Sequence, residues 1–235
     1  MTQNIQHRRD QNTRVGDTVE RSLRNMLPLS FAEEVGNSVT HGVATLLFIF
    51  LLPFSAIYMY AQGGALHAFG GSVFIISIIF MFLASTIYHA MAYDSAHKYV
   101  MRVLDHSFIF IAIAGTYTPI AISMMGGTLG WVVLIVQWVM AILGILYKSL
   151  SKRQNSKVSM VIYLVMGWMA AFIIPFIYDA LSFEFVLFIL IGGLMYTIGA
   201  WFYAQKGRKY FHVIWHLFII LASASHYIAI VFYTI

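Results

Sequence analysis

The sequence predicts an all-α membrane protein of seven transmembrane helices, with the N-terminus in the cytoplasm and the C-terminus outside. Three observations carry this expectation. Of the 235 residues, 60% are hydrophobic and only 10% are charged, whereas a soluble domain carries about 25% charged residues. The apolar residues gather into runs of about 20, the length that crosses a bilayer as a helix. Every lysine and arginine lies on one side of those runs, the pattern of a cytoplasmic face.

Taken in order, residues 1–30 are polar, of mixed charge, and contain Pro28; they are expected to be a mobile cytoplasmic segment. Residues 31–235 form the seven-helix domain, with spans expected at about 41–61, 68–91, 100–124, 128–148, 158–178, 184–204 and 211–233. The first forty residues hold no apolar run of the signal-peptide kind, so the first span is expected to be an uncleaved anchor. Gln62-Gly63-Gly64, Gly126-Gly127 and the stretch from Asp179 to Ser182 mark turns on one side. Tyr93 to Tyr99, Ser149 to Lys157 and Gln205 to Lys209 mark turns on the other. Pro53, Pro119 and Pro175 lie within spans, where neighbouring helices tolerate local kinks.

The cations set the direction. Arg8, Arg9, Arg14, Arg21 and Arg24 precede the first span. Lys98 and Arg102 follow the second, Lys148, Lys152, Arg153 and Lys157 join the fourth to the fifth, and Lys206, Arg208 and Lys209 precede the seventh. These are all 14 basic residues, and Asp179 and Glu184 fall on the opposite side. The net charge of +5 therefore reflects membrane orientation, and no nucleic-acid partner is expected. Cysteine is absent, so disulfides are excluded and any metal must be held by His, Asp or Glu.

With this topology, His89, Asp105, His212 and His216 come to one membrane layer near the cytoplasmic face. His212 and His216 stand four residues apart, so both project from one helix face. Ser85 and His89 share that spacing. An Asp at membrane depth needs a partner, and three imidazoles without a thiolate suit zinc, although iron, manganese and copper also accept such ligands. Glu34, Asn37 and His41 stand on neighbouring turns at the start of the first span, where they can cap the helix or orient the site as second-tier contacts. His226 lies about 15 Å beyond His216 along the helix, too far to share its ion. It is expected to bond within the bundle or to meet substrate in the cavity. His106 adjoins Asp105 but is expected on another face. His7, His67 and His97 are expected to have no special role.

Glu34-x-x-Asn37-x-x-x-His41, Ser85-x-x-x-His89, Asp105 and His212-x-x-x-His216 with the trailing His226 together resemble the bacterial hemolysin III proteins. These belong to the progestin and adiponectin receptor family, within a wider superfamily of membrane hydrolases that includes alkaline ceramidases. The resemblance covers residues from about 31 to 233. It implies a seven-helix fold with zinc near the cytoplasmic face, ligated by His89, His212 and His216, with Asp105 and Ser85 near a water on the metal. It also implies a multi-pass protein of the plasma membrane, with a membrane lipid as substrate or ligand.

Two readings of the activity follow, and a third is weaker. A zinc-dependent hydrolase of lipid amides or esters would use Asp105 to move a proton and Ser85 to hold the water or polarise the carbonyl. A non-catalytic receptor or regulator would use zinc to brace the helices, and Asp105 as a direct ligand would close the site. A cytolytic pore would need a polar conduit through the whole bundle, yet the outer halves of the spans are mostly apolar. A retinal protein would need a lysine within the last helix, and the last lysine, Lys209, precedes it.

Overall fold

The computed structural model describes residues 29–93, 95–150, 156–177 and 181–234. They form helices α1 (Phe31–Ala90), α2 (Ala96–Pro119), α3 (Gly127–Leu150), α4 (Ser156–Ile177), α5 (Phe183–Ala204) and α6 (Phe211–Tyr233), with a π-helical turn at Ile120–Met125. No strand occurs among the described residues. All six helices are long and apolar enough to cross a membrane. The expected mobile segment 1–30 falls outside the described residues, save for Leu29 and Ser30.

α1 starts ten residues before the expected first span, and its cap explains why. The Ser30 hydroxyl accepts from the Glu33 backbone N–H, while the Glu33 carboxylate accepts from the Ser30 N–H at 3.0 Å. This reciprocal pair satisfies donors that the first helical turn leaves open. α1 has 60 residues and is broken at Gly64, where φ is +75°. Only glycine adopts that conformation without strain. The arms on either side, residues 31–63 and 65–90, lie antiparallel. Ser38 Oγ donates to Thr86 O at 3.1 Å near one end, and Gly71 leaves room for Met59 near the other. The spans expected at 41–61 and 68–91 occupy these two arms.

The main core joins both arms of α1 to α2 and α6. Phe48, Phe74, Ile75, Ile78, Phe82, Ala112, Ile219 and Ile230 are all buried within it. Hydroxyls inside the apolar helices are satisfied by carbonyls one turn back, as Thr45 bonds His41 O and Thr116 bonds Ala112 O, each at 2.8 Å. On the outside, Phe50, Phe54, Ile57, Phe172 and Phe176 are each at least 70% exposed. In water such a surface would aggregate; here it is the face presented to lipid.

α4 sits differently from the rest. Only 6% of its most apolar window is buried, so packing holds it weakly. Side-chain hydrogen bonds take over. Tyr117 OH donates to Gly167 O at 2.8 Å and accepts from Ala170 N at 2.7 Å. Gln137 Nε2 donates to Met166 O at 3.1 Å, and Tyr163 OH donates to His106 O at 2.7 Å. An arc of cavity remains between α4 and the bundle.

The third expected span ends in the π-helical turn, where Gly126 N reaches back five residues to Ala121 O at 3.1 Å. Pro119 precedes it and supplies no N–H. His67, expected in a loop with no special role, is instead buried at 3% exposure, because the second arm already begins at residue 65.

Close approach of α2 and α3 depends on Gly144, where an added Cβ would lie 2.5 Å from Phe110 Cε1. Gly144→Val is expected to cost about 1–3 kcal/mol through overpacking. Gly167→Ala, whose Cβ would meet nothing within 4 Å, is expected to be neutral or mildly stabilising. Thermal unfolding in detergent compares the two.

Candidate metal centre

Three imidazoles converge at one end of the bundle. His89 comes from the last turn of α1, and His212 and His216 come from the first turns of α6. The ring centroids are 5.1 Å (His89–His212), 5.0 Å (His89–His216) and 4.8 Å (His212–His216) apart. One nitrogen from each lies within 4.8 Å of the others. The equal spacing follows from the sequence on α6, where four residues make one turn, and from the α1 hairpin, which returns His89 to the level of residue 34.

The other nitrogens of two rings are committed. His89 Nδ1 lies 2.6 Å from Glu34 Oε2. Glu34 Oε1 accepts from Lys98 Nζ at 2.6 Å, and Lys98 also donates to Met91 O at 3.1 Å. His216 Nδ1 lies 3.2 Å from Asn37 O, a carbonyl that can only accept, so the proton belongs on Nδ1. Both rings then offer a lone pair at Nε2. In His89 that atom is buried and has no partner in the protein. A buried polar atom without a partner costs about 1–3 kcal/mol. Three convergent imidazoles, one of them backed by a carboxylate, are the donor set that a zinc-like ion satisfies.

Asp105 stands apart from this trio but lines the same cavity as Ser85, His41, His212 and His216. Its Oδ2 lies 3.3 Å from His106 Nδ1. The three-histidine group does not include Asp105. The rest of the cavity wall is mostly apolar and runs along α2, α4, α5 and α6, past Ile113, Leu164, Ile174 and Ile189.

The residues expected to support the site divide. Glu34 reaches His89 directly. Asn37 acts through its backbone carbonyl, while its side-chain amide is buried without a partner. His41 stacks on His216 with centroids 3.6 Å apart and rings 4° from parallel. Helix capping, one role open to Glu34, falls to Glu33, whose Oε1 also accepts from Tyr210 N at 2.7 Å at the start of α6. His226 bonds within the bundle, its Nε2 3.2 Å from Ile189 O in space that Gly192 leaves, and it also lines the cavity.

Two placements differ from the sequence expectation. His106, expected on another face, is buried and lines the cavity beside Asp105. Its Nδ1 lies 2.7 Å from Arg102 O, so a bond one turn back steers the ring inward. Lys98 read as a topology marker, yet it is 1% exposed and holds Glu34.

Known proteins are similar to this chain in sequence. The haemolysin-III-related family profile matches residues 29–227. The chain is similar to a hemolysin-3 homolog of Bacillus subtilis (strain 168), with 34% identity over 86% of this chain and 95% of that protein. It resembles hemolysin-3 of Bacillus cereus to the same identity, over 86% of this chain and 92% of that protein. The monocyte to macrophage differentiation factor of Homo sapiens is 28% identical over 64% of each chain.

The hydrogen-bonded support gives a measurable expectation. Glu34→Gln is expected to weaken retention of a divalent metal by about 10–100-fold. His212→Ala combined with His216→Ala is expected to abolish it. Elemental analysis during chelator competition reads both.

Proposed function

The chain belongs to the haemolysin-III-related family, and on that premise we propose that this multi-pass membrane protein is a zinc-dependent hydrolase of lipid amide or ester bonds. The observation that carries the reading is the partnerless buried Nε2 of His89, facing two further imidazoles across from a carboxylate and a serine. His89, His212 and His216 would hold the ion. Zinc, when bound, supplies a Lewis acid and brings the pKa of water down to about 7.

The chain's own residues account for the rest. Asp105 accepts a proton from the attacking water and returns it to the leaving nitrogen or oxygen. Ser85, in the same cavity wall, holds the water or polarises the substrate carbonyl. Glu34, backed by Lys98, holds His89 with Nε2 toward the trio. His41 and the Asn37 carbonyl hold the plane and tautomer of His216. The apolar wall along α4 and α5 takes an acyl chain and excludes water from the reacting bond.

We also propose that the two arms of α1 cross separately, making seven spans with the N-terminus in the cytoplasm. The antiparallel contacts of the arms and the one-sided distribution of Lys and Arg support this. The metal centre then lies near the cytoplasmic face.

The absence of cysteine makes the topology easy to test. In intact cells, a membrane-impermeant maleimide is expected to label Gln62→Cys and to leave Lys209→Cys unlabelled until the membrane is opened. The reverse pattern would invert the orientation.

For catalysis, Asp105→Asn is expected to slow release of fatty acid from a lipid amide by about 100-fold or more, with metal content unchanged. If the unmutated, metal-loaded protein cleaves no lipid amide or ester in a broad panel, the non-catalytic regulator becomes the reading to keep.

A further inference from the structure

One glycine stands where the packing of the protein does not call for one. Gly167 lies in the middle of α4, and a Cβ there would meet nothing within 4 Å. Among the described residues, every other glycine of ordinary helical backbone would place a Cβ within that distance of a neighbour. A glycine inside a helix is less stable than an alanine, and at Gly167 no close approach offsets that loss. The bond from Tyr117 OH is to the Gly167 carbonyl, which any residue would supply.

The open space in front of Gly167 is the cavity that begins at the metal centre. Met160, Leu164, Gly167, Ala171 and Ile174 recur every three or four residues along α4, and all of them line it. Val165 and Phe172 of the same helix point the other way, 57% and 76% exposed. Gly167 is therefore at the centre of the inward stripe.

Four helices give the same length for this cavity. Its lining runs from Asp105 to Ile120 along α2 and the π-helical turn, and from Met160 to Ile174 on α4. It runs from Ile189 to Tyr203 on α5 and from His212 to His226 on α6. Each stretch is about 21 Å long at the helical rise. At the end away from the trio, Ile120 and Ile189 pack with Phe185 and Ile177 and close the passage. Gly167 is equally far in sequence from Met160 and Ile174, so it lies about 10 Å from either end.

The middle of the passage has no polar group left to serve. Thr116, Tyr117 and Thr197 donate to Ala112 O, Gly167 O and Gly193 O. Tyr196 OH is bonded with Ser223 Oγ at 2.9 Å. A polar group of a ligand would be desolvated here without return, whereas hydrocarbon loses nothing. An extended hydrocarbon chain advances about 1.25 Å per carbon, from bonds near 1.52 Å at tetrahedral angles. The whole passage then takes about 16 to 18 carbons, and the part above Gly167 about eight.

We propose that Gly167 sets the length of the hydrocarbon chain that the cavity accepts. Its missing side chain lets a chain of about 16 to 18 carbons run the full depth, and a larger residue would stop it near the eighth carbon. Identifying this chain as the acyl chain of a lipid substrate rests on the hydrolase reading. Length selection itself is a property of binding and needs no turnover.

The test measures binding alone, with the full chain purified in detergent and tritiated hexadecanamide as the probe. Unlabelled straight-chain amides of 8, 12, 16 and 20 carbons compete with it. In the unmutated protein the 16-carbon amide is expected to compete best. Gly167→Leu is expected to weaken the 16-carbon amide at least tenfold and to leave the 8-carbon amide within about twofold. Gly167→Ala is expected to fall between the two proteins. Unchanged metal retention shows that each variant is folded. The proposal is overturned if the probe does not bind saturably, if Gly167→Leu binds the 16-carbon amide as well as the unmutated protein, or if it loses both lengths alike. Length selection in a protein that cleaves no lipid would overturn the hydrolase reading and leave this one standing. Cleavage with no effect of residue 167 on length would do the opposite.

Discussion

One half-buried carboxylate organises the end of the bundle where the histidines meet. Glu34 bonds His89 through one oxygen and Lys98 through the other, each at 2.6 Å. Burying an ion among apolar helices carries a penalty on the order of several kcal/mol, so the buried Lys98 ammonium needs the carboxylate as its match. Matching it forces three chain segments together: the start of α1, the end of α1 and the start of α2. Its neighbour Glu33 ties in a fourth by accepting from Tyr210 N at the start of α6. The position of His89 against His212 and His216 follows from these two adjacent glutamates.

From that fastening the bundle becomes less tightly packed toward α4. The arms of α1, α2 and α6 share a continuous core of Phe, Ile and Ala. α4 is held mainly by Tyr117, Gln137 and Tyr163 reaching backbone atoms across the gap. Burial is non-directional and closes every space it can, whereas hydrogen bonds hold a helix at a set distance. The cavity beside the metal centre persists because its outer wall is held in the second way. The result is an apolar wall beside the Asp105 carboxylate and the imidazoles of His212 and His216.

Much of the candidate site was legible in the chain. His212 and His216 share a face because four residues make a turn, and the alternation of spans brings His89, Ser85 and Asp105 to their level. The supporting contacts were less legible. Lys98 looked like one more cytoplasmic cation, and only the fold shows it buried against Glu34. Capping was open to Glu34, yet Glu33 performs it, since one register step decides which carboxylate turns inward. His106 read as lying on a different face from Asp105, and His67 as a loop residue. A bond back to Arg102 O and an early start to the second arm of α1 bury them.

The sequence by itself determined that this is a multi-pass helical membrane protein, because composition and run length are local properties that the bilayer reads directly. Helical spacing and span order also pointed to His89, Asp105, His212 and His216 at one level, and the family resemblance singled out the three histidines among them. Tertiary structure decided which nitrogens of His89 and His216 are left open, which glutamate bonds His89, and where a cavity stays open. Those depend on side chains far apart in the chain meeting at hydrogen-bonding distance, a geometry that no local pattern encodes.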